Sequence, residues 1–467
     1  MRFVSGWRGL DMRCEPLQDL LDCIIDHRGK TPKKLGGDFS PSGVPVLSAK
    51  NIKSGRIEGE LRHVTRQMYE KWMPVPLKSG DVLLTSEAPL GELHWLGEDS
   101  EYVLGQRLFG LRPNEAKLHS GFLYYYLLTE PGQSQLHGRA SGSTVQGIRQ
   151  SELMRISVPL PPVDIQREIA DTLRAIDDKI ANNRALAADL EAMARAIFNS
   201  WFVNFDPVKA KMEGRAPAGM DADTAALFPD ELVESELGLI PKGWEVRPIG
   251  ELIDSSLGGD WGKEVPETDH TERCTIVRGT DLSDLAHCDV SSIPVRYVTA
   301  KKLAKRQFES WDIVFEVSGG SKDQSTGRSL LLRPDQIQAL GPNSCCASFC
   351  RRFRFENDGK AVWMGVFLDK SYRDGLMWRY QVQSTGISNF QTKVFLEKHL
   401  VVEPPQPLLD TFAQLVKPML EASAISENQG LAELRDTLLP RLISGKLQLP
   451  AAAPEAQAIA EKGGQSV

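Results

Sequence analysis

The chain has 467 residues, 25% of them charged, with 55 Lys and Arg against 62 Asp and Glu for a formal net charge of −7. No stretch carries the roughly 18 uncharged apolar residues of a membrane span and the N-terminus lacks a signal-peptide core, so a cytoplasmic protein is expected. The seven cysteines form no Cys-x-x-Cys and the eight histidines are scattered, which argues against a disulfide framework or a zinc site; Cys346 and Cys350 stand in a strand-like run and read as core packing.

In chain order, residues 1–160 hold short apolar runs at 44–47, 82–85 and 108–111 and a helical stretch at 121–128, the pattern of a mixed α/β domain. Residues 161–203 read as one long helix. From Ile169, alternating steps of four and three reach Leu173, Ile176, Ile180, Asn183, Ala187, Leu190, Ala194, Ile197 and Trp201, a heptad seam. Asp164 is the expected cap, Pro161 and Pro162 keep the preceding chain extended, and Pro207 lies past the end. Roughly 38 residues at 1.5 Å each make a helix about 57 Å long. Its narrow apolar stripe calls for one partner helix, and Asn183 in the seam is a candidate for setting register.

Residues 204–243 have the Gly, Pro and acidic composition of a linker, and 244–403 form a second α/β domain. Residues 404–449 supply the partner helix, where Phe412, Val416, Met419, Leu431, Leu434, Leu438 and Leu442 repeat the first spacing and Pro418 and Gly430 are expected to kink or weaken it. The Ala/Glu/Gly-rich tail 450–467 is expected to be disordered. The fold class expected is therefore α/β (α+β): two mixed domains in tandem, separated by a pair of long antiparallel coiled-coil-like helices.

The repeat extends beyond the helices. Residues 15–22 resemble 247–254, 45–52 resemble 275–282, and 80–84 resemble 311–315; Ser143-Thr144 recurs as Ser384-Thr385, all about 230 to 243 positions apart. One unit is written twice, with the frame shared and the contents different.

Charge is unevenly spread. Arg28, Lys30, Lys33, Lys34, Lys50, Lys53 and Arg56 face only Asp38 over residues 28–56, and 296–306 hold five bases and no acid, whereas 221–236 hold six acids and no base. Two basic domains on an acidic frame fit polyanion binding at two sites, although a solvated basic face would explain either patch alone. Motifs for catalysis are missing: no phosphate-cradling Gly-x4-Gly-Lys-Ser/Thr, no dinucleotide fingerprint, no Asn/Asp-Pro-Pro-aromatic tetrad, no His-Glu-x-x-His and no Gly-x-Ser-x-Gly. DNA reading remains, since Lys and Arg neutralise phosphates and Arg, Asn and Gln pair with base edges. Candidate contacts are Arg28, Lys30, Lys33, Lys34, Lys50, Asn51, Lys53, Gln106, Arg107, Gln146 and Arg149 in the first domain, and Arg278, Lys322, Gln324, Arg328, Asn389 and Gln391 in the second.

The runs Val158-Pro159-Leu160-Pro161-Pro162, Gln166-Arg167-Glu168-Ile169-Ala170, residues 190–207 and 438–447, together with Gly105-Gln106-Arg107 and residues 142–148, resemble the specificity subunits of type I restriction-modification systems. The resemblance implies two target-recognition domains, each reading half of a bipartite site in double-stranded DNA, and adds Ser143 and Thr144 to the candidate contacts. It implies no catalysis and no cofactor in this chain, with two modification (methyltransferase) subunits and restriction (translocase/nuclease) subunits as partners that use S-adenosylmethionine, ATP and Mg. In the second half, Cys350-Arg351-Arg352 stands where Gly-Gln-Arg is expected. A non-catalytic coiled-coil scaffold with two protein-binding domains is the alternative from another class.

Overall fold

The computed structural model describes residues 13–142, 145–320, 324–384, 387–422 and 426–448. Ser143, Thr144, Lys322 and the predicted tail 450–467 lie outside the described residues. The chain divides into two compact units, the first of residues 1–179 and 431–467, the second of residues 180–430. It passes between them twice, within helix Val163–Phe198 and within helix Ser426–Ile443. No helix among the described residues is long and apolar enough to cross a membrane.

In the first unit, four antiparallel strands stand in the order Leu21–Asp26, Leu108–Pro113, Val82–Ser86, Leu90–Trp95. All five residues of Val82–Ser86 are buried, because both faces of this strand are covered. One face packs Val82, Leu84, Phe109 and Leu111 with Phe122 and Tyr125 of helix Ser120–Leu128. The other packs Leu83 and Leu108 with Val46, Leu47, Val103 and Leu104 of a smaller three-stranded sheet. Strand Arg13–Pro16 pairs antiparallel with Ser157–Leu160, which delivers the chain to the first long helix.

That helix begins at Val163, so Asp164 lies inside the first turn and does not cap it; its side chain is 92% exposed. The start is held instead by fully buried Gln166, whose Oε1 accepts from the His119 N–H at 2.8 Å and whose Nε2 donates to the Pro161 carbonyl at 2.8 Å. Ile169 and Leu173 then enter the same core as Leu439 and Leu442 of the last helix. Beside them the Tyr125 hydroxyl donates to Asp177 Oδ2 at 2.8 Å, and Arg435 Nη1 meets Asp177 Oδ1 at 2.9 Å.

The second unit repeats the plan. Its four-stranded sheet runs Ser255–Gly258, Cys350–Arg354, Ile313–Glu316, Ser329–Leu331, its smaller sheet joins Val295–Val298, Glu272–Val277 and Ser344–Cys346, and Glu245–Pro248 pairs with Leu400–Glu403. Cys346 and Cys350 are buried and free, as core packing requires. Residues 204–243 depart from the expected linker: they form helices Asp206–Met212 and Ala222–Ala226 and the hairpin of Leu232–Ser235 with Gly238–Pro241. Val208, Phe228 and Ile240 are buried there, but they stand too far apart in a Gly/Pro-rich stretch to make a periodic pattern.

Helix pairing within this unit is antiparallel. Asn183 Nδ2 donates to Asn428 Oδ1 at 2.9 Å and to Glu427 Oε2 at 3.0 Å, while Phe198, Trp201 and Phe202 meet Phe412 with ring centroids 6.1, 6.0 and 5.0 Å apart. As one helix advances from 183 to 202, its partners therefore run back from 428 to 412. The predicted second helix is two, Gln406–Ala422 and Ser426–Ile443, with 423–425 outside the described residues. Ile169, Leu173, Ile180, Trp201, Phe412, Val416 and Leu442 are buried as the heptad reading requires, and Ile176, Leu190, Ile197, Met419, Leu431 and Leu438 are half-buried. Leu434 is 47% exposed, contrary to that reading, while Leu439 and Ile443 are buried. At the other end a π-helical turn, Asn199–Val203, rotates the helix face so that Trp201 and Phe202 both bury beside Phe198.

Asp177→Ala removes the acceptor shared by the Tyr125 hydroxyl and Arg435 Nη1, leaving the guanidinium to Asp436 alone. Its expected cost is about 2–3 kcal/mol, read as a lower urea midpoint, whereas Asp178→Ala, one residue on and 63% exposed, is expected to stay within about 0.5 kcal/mol of the parent.

Candidate nucleic-acid interface

The smaller sheet of the first unit and the loops beside it enclose a cleft of about 620 Å³, lined by Lys30, Phe39, Lys50, Asn51, Arg62, Gln106 and Arg107 among others. Six of these seven carry basic or amide side chains, and Glu60 is the acid that joins them. Arg62 lies over the Phe39 ring, 3.8 Å from its centroid, which fixes a cation at the rim. Lys50 and Gln106 are exposed, as are Lys33, Lys34, Lys53, Gln146 and Arg149 on neighbouring loops. Lys30 is half-buried and donates to the Trp72 carbonyl at 3.0 Å, and Lys34 donates to the Gly29 carbonyl at 2.8 Å.

Arg107 is the strained member of the set. Its φ of 65° places a non-glycine residue in the left-handed region, a local cost on the order of 1 kcal/mol or more that sites of function tolerate. Its Nε meets Glu87 Oε1 at 3.0 Å with the guanidinium half exposed, so the pair holds the fork at the surface.

Two of the residues expected at the DNA are tied into the frame. Asn51 is 2% exposed: its Oδ1 accepts from the Ser48 N–H and hydroxyl at 3.1 and 2.8 Å, and its Nδ2 donates to the carbonyls of Glu58 and Glu60 at 3.1 and 3.4 Å. That uses the amide's donors and acceptor in shaping the loop that presents Lys50. Arg28 forks onto Asp26 at 2.9 and 2.8 Å and lies over Phe109 at 3.9 Å from the ring centroid.

The second unit has the same hydrogen-bond frame. Gly105 N–H donates to the Leu47 carbonyl at 2.8 Å, and Ala347 N–H to Val277 at 2.8 Å. Ser86 N–H reaches the Arg107 carbonyl at 2.8 Å, and Val317 N–H that of Phe349 at 2.9 Å. Ile148 N–H meets Ser86, and Phe390 N–H meets Val317, both at 2.9 Å; Ser48 and Asn51 form a capped turn that Arg278 and Asp281 repeat. Ala347-Ser348-Phe349, not Cys350-Arg351-Arg352, thus occupies the place of Gly105-Gln106-Arg107, and Thr280 that of Lys50. The alternation of the flanking buried strands, Ser344–Cys346 and Cys350–Arg354 against Val103–Leu104 and Leu108–Pro113, was the signal available for this alignment.

Arg278 and Arg328 are each held by a buried acid: the first, partly exposed, meets Asp281 at 2.7 Å and the second meets Glu316 at 2.6 Å. Gln324 and Asn389 are exposed, and Gln391 is half-buried at the start of helix Thr392–Lys398, the place that exposed Arg149 holds before Gln150–Leu153. The basic run 296–306 is partly tied up, with Lys302 against Asp260 at 3.0 Å, Arg296 against Glu264 at 3.2 Å and Arg306 donating to the Gly258 carbonyl at 2.9 Å. A second concavity, of about 510 Å³, has both signs of charge on its wall, Arg351 and Lys393 with Glu251 and Glu397.

Residues 13–192 match the family model described as the type I restriction modification DNA specificity domain. Over 437 residues the chain is 24% identical to the type I restriction enzyme MjaIX specificity subunit of Methanocaldococcus jannaschii, covering 90% of each, and over 431 residues it is 24% identical to the HindI specificity subunit of Haemophilus influenzae, covering 79% of this chain and 87% of that one. The chain is thus similar over most of its length to specificity subunits of type I restriction enzymes. Its fold is similar to the crystal structure of the S subunit from M. genitalium, with a TM-score of 0.54 and 16% identity over 93% of this chain and 96% of the other.

The loop bearing Lys53 and Arg56 is pinned to the sheet by His94, whose Nδ1 lies 2.6 Å from the Gly55 carbonyl. Burial holds the His94 imidazole below its ordinary value of 6.5, and burial lowers His27 in the same direction. The unfolded chain therefore takes up these protons at a higher pH than the folded one, so the stability present above about pH 6.5 is lost as pH falls below it. Urea unfolding at pH 7.5 and 5.5 is expected to show a drop that His94→Gln reduces; an unchanged drop would remove His94 from the account.

Proposed function

We propose that this subunit binds duplex DNA, with each unit reading one half of an asymmetric bipartite target and the helices that carry the chain between the units setting the unread gap. One observation carries the reading: two units share a hydrogen-bond frame down to individual N–H and carbonyl pairs, yet place Lys50, Gln106 and Arg107 on one tip and Thr280, Ser348 and Phe349 on the other. A common frame with different tips suits two different half-sites. Exposed Lys33, Lys50 and Lys53 serve the phosphates, and the Gln106 amide and Arg107 fork suit base edges in the major groove.

The relatives that span most of this chain carry the names of specificity subunits of restriction enzymes, which favours this reading over a protein-binding scaffold. Methylation and restriction then fall to partner chains: two methyltransferase subunits and the translocase/nuclease subunits, with S-adenosylmethionine, ATP and Mg as their cofactors. DNA as the target places the work in the cytoplasm.

Affinity of the full chain for its target duplex is expected to fall steeply between 50 and 200 mM salt, with a log–log slope of about −0.9 per phosphate contact. Lys53→Ala should make that slope shallower by about 0.9, and a flat salt profile would remove DNA from the account. Separately, inserting one helical turn beside Arg184 and one beside Gln429 adds about 5.4 Å to each connecting helix, roughly one to two base pairs at 3.4 Å each. Mapping of modified bases should then show a longer gap between unchanged half-sites; altered half-sites would refute the spacer role.

A further inference from the structure

We infer that Phe349 is a specificity-determining residue of the second unit, and that it reads a thymine through the 5-methyl group in the major groove. This rests on the DNA-binding function proposed above and deepens it.

The argument starts from position. Phe349 stands where the first unit puts Arg107, because its carbonyl accepts from Val317 N–H at 2.9 Å as that of Arg107 accepts from Ser86 N–H at 2.8 Å. The residues that flank Ser348-Phe349, Ala347 and Cys350, are both 0% exposed, so the backbone is anchored before and after the tip. Between those anchors the Phe349 ring is 61% exposed. A chain folding alone gains nothing from that exposure, since an apolar ring left in water forgoes the free energy of burial. Single exposed apolar residues are common on surfaces. This one is set apart by standing on a reading tip, beside exposed Ser348 and in a unit whose counterpart carries Gln and Arg at the same two places.

Chemistry then selects the ligand. A guanidinium fork matches the paired acceptors of guanine, which is what Arg107 offers. A phenyl ring has no donor or acceptor, and the feature of a base edge it can recognise in the major groove is the thymine methyl group. Thr280, in the place of Lys50, also removes a cation from the same tip. The second unit is therefore built to favour an A·T pair at the position where the first favours G·C.

The test uses the full chain on duplexes of its mapped target in which each thymine is replaced in turn by deoxyuridine, which deletes the methyl group alone. For the parent, one replacement in one half-site is expected to weaken binding about fourfold, the equivalent of roughly 0.8 kcal/mol for one methyl-sized group. Phe349→Ala should bind the thymine and deoxyuridine forms of that duplex equally, and Phe349→Leu, which keeps an apolar tip, should retain part of the preference. Insensitivity of the parent at every thymine overturns the inference, as does a Phe349→Ala variant that keeps the full fourfold preference or weakens on all duplexes alike. Absence of salt-dependent binding to any duplex is a different result, which sinks the broader DNA-binding reading.

Discussion

Each unit borrows the long helices to complete its own core. In the first unit Ile169 and Leu173 share an interior with Leu439, Leu442 and the strands behind Phe109 and Leu111. In the second, Phe198, Trp201 and Phe202 close around Phe412 and reach Trp244 and Trp363. Aromatic side chains bury on the order of 150–250 Å² each, which at about 25 cal/mol per Å² is roughly 4–6 kcal/mol apiece as an upper bound. Sliding a helix by one residue within its unit would open that surface to water. The orientation of each loop tip to its own helices is fixed by packing, which is what a reading device requires of its support.

Charge is handled on the same division of labour. Arginines inside the frame are matched, Arg28 with Asp26, Arg112 with Asp81, Arg328 with Glu316 and Arg354 with Asp312. A buried guanidinium without a partner would cost several kcal/mol, so these pairs hold the frame's own charge balance. The lysines on the loops are exposed, where a long flexible cation keeps its hydration until a polyanion displaces it. The net charge of −7 conceals this, because it sums over the whole chain, including residues 221–236 with six acids and no base.

The two sets of loops also differ in a way that charge counts do not reveal. In the first unit the amide of Asn51, the Arg62–Phe39 stack and the Glu87–Arg107 pair hold polar groups at the surface. In the second, Arg278 closes onto Asp281 and the Ser292 carbonyl, and the tip above is hydroxyl and phenyl. A duplicated frame has thus kept its backbone hydrogen bonds while the side chains at its tips went separate ways.

Several features could be read from the residues alone. The heptad spacing from Ile169 to Trp201 carries a long helix, the matched runs at 45–52 and 275–282 carry the duplication, and the absence of catalytic motifs directs attention to binding. Periodicity states which face of a helix is apolar, since 3.6 residues per turn is a local property. It does not state where a side chain's hydrogen-bond partners are, and that is why Asn51 and Arg28, polar residues in turns, resembled DNA contacts until Glu58, Glu60 and Asp26 were placed beside them. The hairpin and helices of 206–241 and the seat of Leu434 likewise depend on residues far away in the chain. Above all, the equivalence of Phe349 with Arg107 is a matter of which carbonyl meets which N–H across a sheet, a pairing between distant strands that only the folded chain decides.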